Sequence, residues 1–316
     1  PSVYRHTGIT RGGRGIGEWH TGTVPVVRAL GSKIAFDSCS LTDLAETSRS
    51  SPEFGQPGKV MQADFGADIV FDNCLLARAR MGPELIGAVL LLTNSYIVEM
   101  CGVVDSDGVL IEDSLSGQTN ILTGSVIAQG DDDGIDTANC NFTVEHCIIR
   151  NWNNPLEDSK GISIAAGEAR VRHCLLVDNA IGISGKGGNG EQVRLQVDHS
   201  TLLAEAYAIG ATNKDQTLPS FDYRITNSIV RGAVHSVFTQ YNPADIHVDY
   251  SNLGGYWPGS GNNFDDPRFV SATNHDYRLQ PYSPCIDSGH PASPLDADGS
   301  RTDMGCFTFQ PAPPAL

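Results

Sequence analysis

The sequence predicts an all-β fold, a solenoid of about eight parallel coils, and three observations support this prediction. A short phrase recurs eight times, and its central Cys or Ser returns every 23 to 40 residues. Each phrase alternates apolar and polar residues, which is the period of a β-strand. Turn residues separate the phrases, and no stretch carries a helical stripe of apolar residues. Self-similarity at this period is typical of solenoid proteins.

The central residues of the phrases define the expected interior of the solenoid. They are Cys39, Cys74, Ser114, Cys147, Cys174, Ser200, Ser228 and Ser251. We expect Cys39, Cys74, Cys147 and Cys174 to stack in one buried column with Ser114, Ser200 and Ser228, with the thiols reduced, because free Cys behaves as a small apolar residue. The neighbouring positions hold Val, Ile and Phe, which suit stacked strands better than a leucine-rich repeat. A parallel β-helix is therefore favoured, and parallel crossovers are overwhelmingly right-handed.

The repeats divide the chain into four predicted segments. They are a lead-in (1–25), the parallel β-helix (26–255), an irregular C-terminal cap (256–309) and a linker or tail (310–316). The chain starts at Pro1 and ends in a Pro-rich run, so we expect it to be tethered to further domains of a longer protein. Within the cap, Cys285 and Cys306 are predicted to form a disulfide.

The charge balance excludes one class of partner. The net charge is −16, from 21 basic and 37 acidic residues. Nucleic-acid binding needs a basic surface, so no nucleic-acid partner is expected. An excess of acidic residues fits a secreted protein or one that holds cations, and a merely soluble acidic surface explains it equally well. No apolar run is long enough to span a membrane.

The middle coils resemble the pectate-lyase-like superfamily of right-handed parallel β-helices. The matching residues are Asp132-Asp-Gly-Ile-Asp136 with Phe142-Thr-Val-Glu-His-Cys-Ile-Ile149, and Lys160-Gly-Ile-Ser-Ile164 with Val171-Arg-His-Cys-Leu175. By its repeats the resemblance covers about residues 26–253. It implies an extracellular or cell-surface protein that acts on or binds carbohydrate. Members of the superfamily include calcium-dependent lyases with a Lys or Arg base, glycoside hydrolases, spikes and adhesins.

One acidic cluster is the strongest candidate for a metal site. Asp131, Asp132, Asp133 and Asp136 lie within six residues, and such close carboxylates repel one another unless a cation relieves them. Hard oxygen ligands suit Ca²⁺. Stacking places the next coil about 4.8 Å away, so Asp158 is predicted as a fifth ligand. Alternatively, these are ordinary turn residues, and Lys160 only pairs with Asp133.

A cation beside a lysine is the arrangement that β-elimination needs. We therefore predict a calcium-dependent lyase of an acidic (uronate) polysaccharide, with Lys160 as base and Lys186 or Arg172 as a second cationic group. A glycoside hydrolase that pairs Asp132 or Asp133 with Asp158 is less favoured. A non-catalytic surface, adhesion or carbohydrate-binding module is the alternative, because no catalytic motif is complete.

Scattered aromatic residues supply a weaker signal. They can stack on sugar rings along a groove, although packing under loops is the commoner role of such residues. They are Trp152, Tyr207, Tyr241, Tyr256 and Trp257.

Overall fold

The fold is a parallel β-solenoid, seen in a computed structural model. The structure describes residues 2–10, 25–44, 58–102, 106–155, 159–187, 192–212, 220–240 and 244–310. Each complete coil runs through three faces, which we call C, A and B in chain order. Within the described residues face A has ten strands, so the coil count is close to the eight predicted, and the all-β solenoid is confirmed.

The strands are numbered β1 to β29 along the chain. Face A contains β1 (Ser2–Arg5), β4 (Lys33–Asp37), β7 (Asp68–Asp72), β10 (Val89–Thr93), β13 (Asn120–Thr123), β16 (Cys140–Glu145), β19 (Gly167–Arg172), β21 (Gln192–Asp198), β23 (Ser220–Thr226) and β26 (Ala244–Asp249). Face B contains β2 (Gly8–Thr10), β5 (Ser40–Thr42), β8 (Leu75–Ala79), β11 (Tyr96–Met100), β14 (Val126–Gly130), β17 (Ile148–Trp152), β24 (Ile229–Gly232) and β27 (Asn252–Leu253). Face C contains β3 (Val27–Leu30), β6 (Lys59–Asp64), β9 (Met81–Ile86), β12 (Val109–Glu112), β15 (Ile135–Ala138), β18 (Lys160–Ile164) and β25 (His235–Thr239). Two long strands, β20 (Leu175–Gly185) and β22 (Thr201–Ala211), run from face B into face C.

A buried column of Cys and Ser lies just after the corner between faces A and B. Seven backbone N–H groups in this column donate to the side chain of the equivalent residue in the next coil, as Cys174 donates to Ser200 Oγ at 3.2 Å. The column therefore satisfies buried donors that the tight corner leaves outside the strand ladders. Its members are Cys39, Cys74, Ser95, Ser125, Cys147, Cys174, Ser200, Ser228 and Ser251.

The placement of Ser114 in this column is wrong. Its phrase forms β12, which lies on face C rather than face A. The strands that do occupy face A there are β10 and β13, and they bring Ser95 and Ser125 into the column. The alternating pattern of a strand does not say which face of a solenoid it joins, which is why the assignment failed.

The residue before each column member makes the corner itself. These residues have φ between 43° and 59°, the left-handed region in which Asn, Asp and His are enriched among non-glycine residues. Consecutive corners bring the rings of His146 and His173 to 4.9 Å and those of His173 and His199 to 5.0 Å, both stacked. The corner residues are Ser38, Asn73, Asn94, Gly124, His146, His173, His199, Asn227 and Tyr250, and His6 has the same conformation at the first corner.

The C-terminal segment closes the last coils and packs on face B. Its regular elements are β28 (Phe269–Ser271), a 3₁₀ turn (Ala272–Asn274) and β29 (Asp276–Leu279), with β28 and β29 antiparallel. The predicted disulfide is wrong, because Cys285 and Cys306 are both free. Cys285 packs with Leu279 and Met304, whereas Cys306 packs in a separate apolar cluster.

Candidate functional site

A cluster of charged side chains lies at the start of three neighbouring strands on face C. The register aligns Asp107, Asp133 and Lys160 in consecutive coils, each followed by a glycine. A Cβ at Gly134 would lie 2.5 Å from the carbonyl oxygen of Gly161. Only glycine allows the coils to approach so closely here, and this close stacking brings the charged side chains together.

Three carboxylates form the centre of the cluster. Oxygen atoms of Asp107, Asp133 and Asp136 all lie within 4.8 Å of one another. Asp107 and Asp133 are buried, and Asp136 is partly buried on β15. The backbone N–H of Asp133 also donates to Oδ1 of Asp107 at 3.2 Å. We call these three residues the carboxylate trio.

Two lysines face the trio from the next two coils. Lys160 Nζ lies 3.7 Å from Asp133 Oδ1, which also accepts a hydrogen bond of 2.8 Å from the Lys160 backbone N–H. Lys186 Nζ donates to Asp136 Oδ2 at 3.0 Å and lies 3.8 Å from Asp133. The side chain of Lys160 is 4% exposed, whereas that of Lys186 is 18% exposed. The cluster therefore meets solvent through Asp136 and Lys186.

The electrostatics of the trio favour a bound cation or proton. Burial, followed by the charges of Asp136 and Asp133, holds the pKa of Asp107 well above its usual value. Burial also raises the pKa of Asp133 to about 7, even though Lys160 opposes the shift. Burial lowers the pKa of Lys186, but the charges of Asp136 and Asp133 outweigh burial and leave that pKa raised. When all three carboxylates are ionised they outnumber the two ammonium groups that face them, and a bound proton or cation relieves this excess negative charge.

Two buried oxygen atoms at the cluster accept no hydrogen bond among the described residues. They are Oδ1 of Asp136 and Oγ of Ser163, which is the register partner of Asp136 in the next coil. Lys186 Nζ does lie 2.9 Å from Asp136 Oδ1, so this oxygen has an ionic contact without a directed hydrogen bond. Unsatisfied buried oxygens beside three carboxylates are a donor set that fits Ca²⁺.

Some of the predicted site residues lie together in the charged cluster on face C, and others do not. Asp133, Asp136, Lys160 and Lys186 come together, and half-buried Asp132 adds its charge to the trio. Asp131 instead accepts a hydrogen bond from the Gly102 N–H at 3.0 Å and fixes a turn.

Two predicted residues are not part of the cluster as described. Arg172 is exposed at the end of β19 on face A, away from the cluster on face C. Asp158 lies outside the described residues.

Asp107 is the residue that sequence reasoning missed. Its signal was the recurrence of a charged residue followed by Gly and a β-branched residue. That pattern occurs as Asp107-Gly-Val, Asp133-Gly-Ile and Lys160-Gly-Ile, at intervals of one coil.

A family model and one solved structure agree with this fold. The sequence model of a family described as the right handed beta helix region matches residues 57–202. The crystal structure of pectate lyase Pel9A has a TM-score of 0.52 and 15% identity, with 98% of this chain and 87% of Pel9A covered. A structure described as rhamnogalacturonan lyase has a TM-score of 0.36 and 13% identity, with coverage of 98% and 90%. A search of curated proteins found no match.

The family match and the solenoid agree on the fold. The chain has a parallel β-helix that matches the right-handed family model over residues 57–202, and its fold is similar to that of pectate lyase Pel9A. At 15% identity the likeness to Pel9A concerns the fold alone. Among the described residues no helix is both long and apolar enough to cross a membrane.

Proposed function

We propose that this protein is a calcium-dependent lyase that acts on an acidic, uronate-containing polysaccharide outside the cell. The observation that carries the proposal is the carboxylate trio in contact with Lys160 and Lys186. Asp107, Asp133 and Asp136 would hold the cation, with Asp132 as a further oxygen donor. Bound Ca²⁺ would neutralise the uronate carboxylate and so acidify the proton on C5.

Lys186 is the better candidate for the base. It lies at the open side of the cluster, whereas Lys160 is nearly inaccessible. A base needs a lowered pKa, and the charges of Asp136 and Asp133 now keep the pKa of Lys186 high. When those charges are neutralised, burial remains and lowers the pKa. Lys186 then takes the C5 proton, the C4=C5 double bond forms, the C4–O glycosidic bond breaks, and the leaving oxygen takes up a proton from water.

Lys160 and Arg172 take other roles in this proposal. Lys160 is a positioning residue, because its backbone N–H and its ammonium group both hold Asp133. Arg172 ends a strand on another face, so it contributes nothing to the reaction.

A non-catalytic surface or carbohydrate-binding module is the second candidate. It is favoured by the contacts of Lys186 with two carboxylates, because structural ion-pair networks also produce perturbed pKa values. In that case the cluster stabilises stacked coils and needs no substrate.

The test is a screen of uronate polysaccharides with calcium and with EDTA, read by the ultraviolet absorbance of the unsaturated product. We expect a calcium-dependent rise in absorbance on at least one uronate polymer. No product from any polymer, with the protein folded and calcium present, would contradict the lyase and leave the binding module.

A further inference from the structure

An aromatic cluster lies at the end of face C, beyond the charged cluster. The ring of Tyr207 stacks on that of Phe238 at a centroid distance of 5.0 Å. The ring of His235 stacks on Phe238 at 5.7 Å. Tyr207 and Phe238 are partly exposed, and His235 is exposed. We call these three residues the aromatic cluster.

The local backbone positions Tyr207 on the outer surface of the sheet. A Cβ at Gly210 would lie 2.5 Å from Cε2 of Tyr207, so the ring occupies the space above this glycine. Phe238 is the register partner of Gly210, which places its ring beside that of Tyr207. Strand β25 pairs only with β22 among the described strands, so it is the last described strand of face C.

The aromatic cluster and the carboxylate trio belong to one line of residues. The register joins Asp136 to Ser163, Ser163 to Ser184, and Ser184 to Gly210, all on face C. These three strand spacings separate the two clusters by about 14 Å along the solenoid axis. The residues of this line beyond Asp136 are small and buried, and Lys186 reaches back from the end of β20 to Asp136.

The two clusters have complementary chemistry for an acidic sugar chain. Aromatic rings bury the apolar face of a pyranose, and an exposed imidazole can hydrogen-bond a hydroxyl or carboxylate. The other aromatic residues that the sequence singles out lie elsewhere or outside the described residues. Trp152 is fully buried with its Nε1–H bonded to Ile127, and Tyr256 and Trp257 lie in the C-terminal segment. Tyr241 is outside the described residues.

We propose that Tyr207, His235 and Phe238 form a second sugar-binding subsite for a uronate chain that also reaches Lys186. This inference rests on the proposed function for the identity of the sugar, but not on catalysis. It requires that tight binding begin only when the oligosaccharide is long enough to span both clusters.

The test is calorimetric titration of the protein with oligogalacturonates of increasing length, in calcium. The variants are Tyr207→Leu and Phe238→Leu, which keep apolar bulk and remove the ring. Tyr256→Leu is the matched control, because Tyr256 is 81% exposed and lies in the C-terminal segment. Loss of an aromatic ring that anchors a ligand can cost about 1.4 kcal/mol, which is a tenfold change in Kd. We therefore expect Kd for the long oligomers to rise about tenfold, with no change for the shortest oligomers.

Two outcomes would overturn the subsite. One is binding of long oligomers by both leucine variants as tightly as by the parent. The other is a parent protein whose affinity shows no dependence on length, or that does not bind at all. The second outcome needs no variant, so it decides the matter even if a substitution impairs folding. Absence of lyase product alone refutes the proposed catalysis and leaves this subsite standing.

Discussion

His173 illustrates how a single residue couples to its neighbours one coil away. Its ring stacks between those of His146 and His199 at a left-handed corner. Burial, followed by the charges of His199 and His146, lowers the pKa of His173. The folded state therefore binds this proton less readily than the unfolded chain does.

The consequence is a loss of stability in acid. The contribution of His173 is fully present above the ordinary His pKa of about 6.5 and is lost as the pH falls through the lowered value. We expect the parent to lose more thermal stability between pH 7.5 and 5.5 than His173→Asn does. Asn already occupies equivalent corners at 73, 94 and 227. An equal loss in both proteins would show that the stacked ring does not titrate as described.

Lys186 is the residue whose substitution best separates catalysis from structure. Lys186→Met removes the proposed base, and loss of a general base typically costs 10²- to 10⁴-fold in rate. The same change removes a cation that competes for Asp136 and Asp133, so calcium affinity should rise. Initial rates and calcium titrations measure the two effects. Lys33→Met is the control, because Lys33 is exposed on face A. Retained turnover in Lys186→Met would exclude Lys186 as the base.

At the scale of elements, the Cys/Ser column joins the coils through buried hydrogen bonds. Ser200 Oγ accepts from the Cys174 N–H at 3.2 Å and donates to the carbonyl of Asp198 at 3.0 Å. Ser200→Ala would leave the buried N–H unsatisfied, at a cost of about 1–3 kcal/mol. Ser200→Cys should cost less, because Cys fills this position in four other coils. Denaturant unfolding measures both, and equal stabilities would contradict the role given to the column.

Close stacking of coils at glycine residues is the second feature at the scale of elements. In Gly134→Ala the new Cβ would approach the Gly161 carbonyl oxygen to 2.5 Å, so the coils must separate beside Asp133. We expect lower thermal stability together with weaker calcium binding. Gly255→Ala is the matched control, since a Cβ there meets nothing within 4 Å and its φ is not in the left-handed region. If Gly134→Ala behaves like Gly255→Ala, close stacking does not position the trio.

The sequence predicted elements best where the repeat was regular. The coils from Phe142 onwards have clear phrases, and their Cys and Ser fall in the column as expected. The coils around Ser95 and Ser125 were missed, and the phrase at Ser114 was substituted for them. Local alternation identifies a strand, but its face depends on pairing with strands more than 20 residues away.

At the scale of the whole molecule, the solenoid follows from the sequence because each coil repeats the same local pattern. Only part of the candidate site was predicted from the sequence. Four of its residues were predicted, because the acidic run and the spacing between coils are enough to find them. These residues are Asp133, Asp136, Lys160 and Lys186. Asp107 was missed, because its role arises from the preceding coil. The predicted disulfide was wrong for a similar reason, because packing on face B places Cys285 and Cys306 in different apolar clusters.

The central claim is that the carboxylate trio binds Ca²⁺, and calcium titration tests it most directly. The proteins are the parent, Asp107→Asn and Asp136→Asn, with Asp245→Asn on face A as the control. We predict one saturable site in the parent and in Asp245→Asn. Each trio variant should bind at least about tenfold more weakly, a loss of about 1.4 kcal/mol. In EDTA, Asp107→Asn should be at least as stable as the parent, because it removes a buried carboxylate that burial and its neighbours disfavour. A folded parent that binds no calcium at millimolar concentration, or an Asp107→Asn variant with unchanged affinity, would contradict the account.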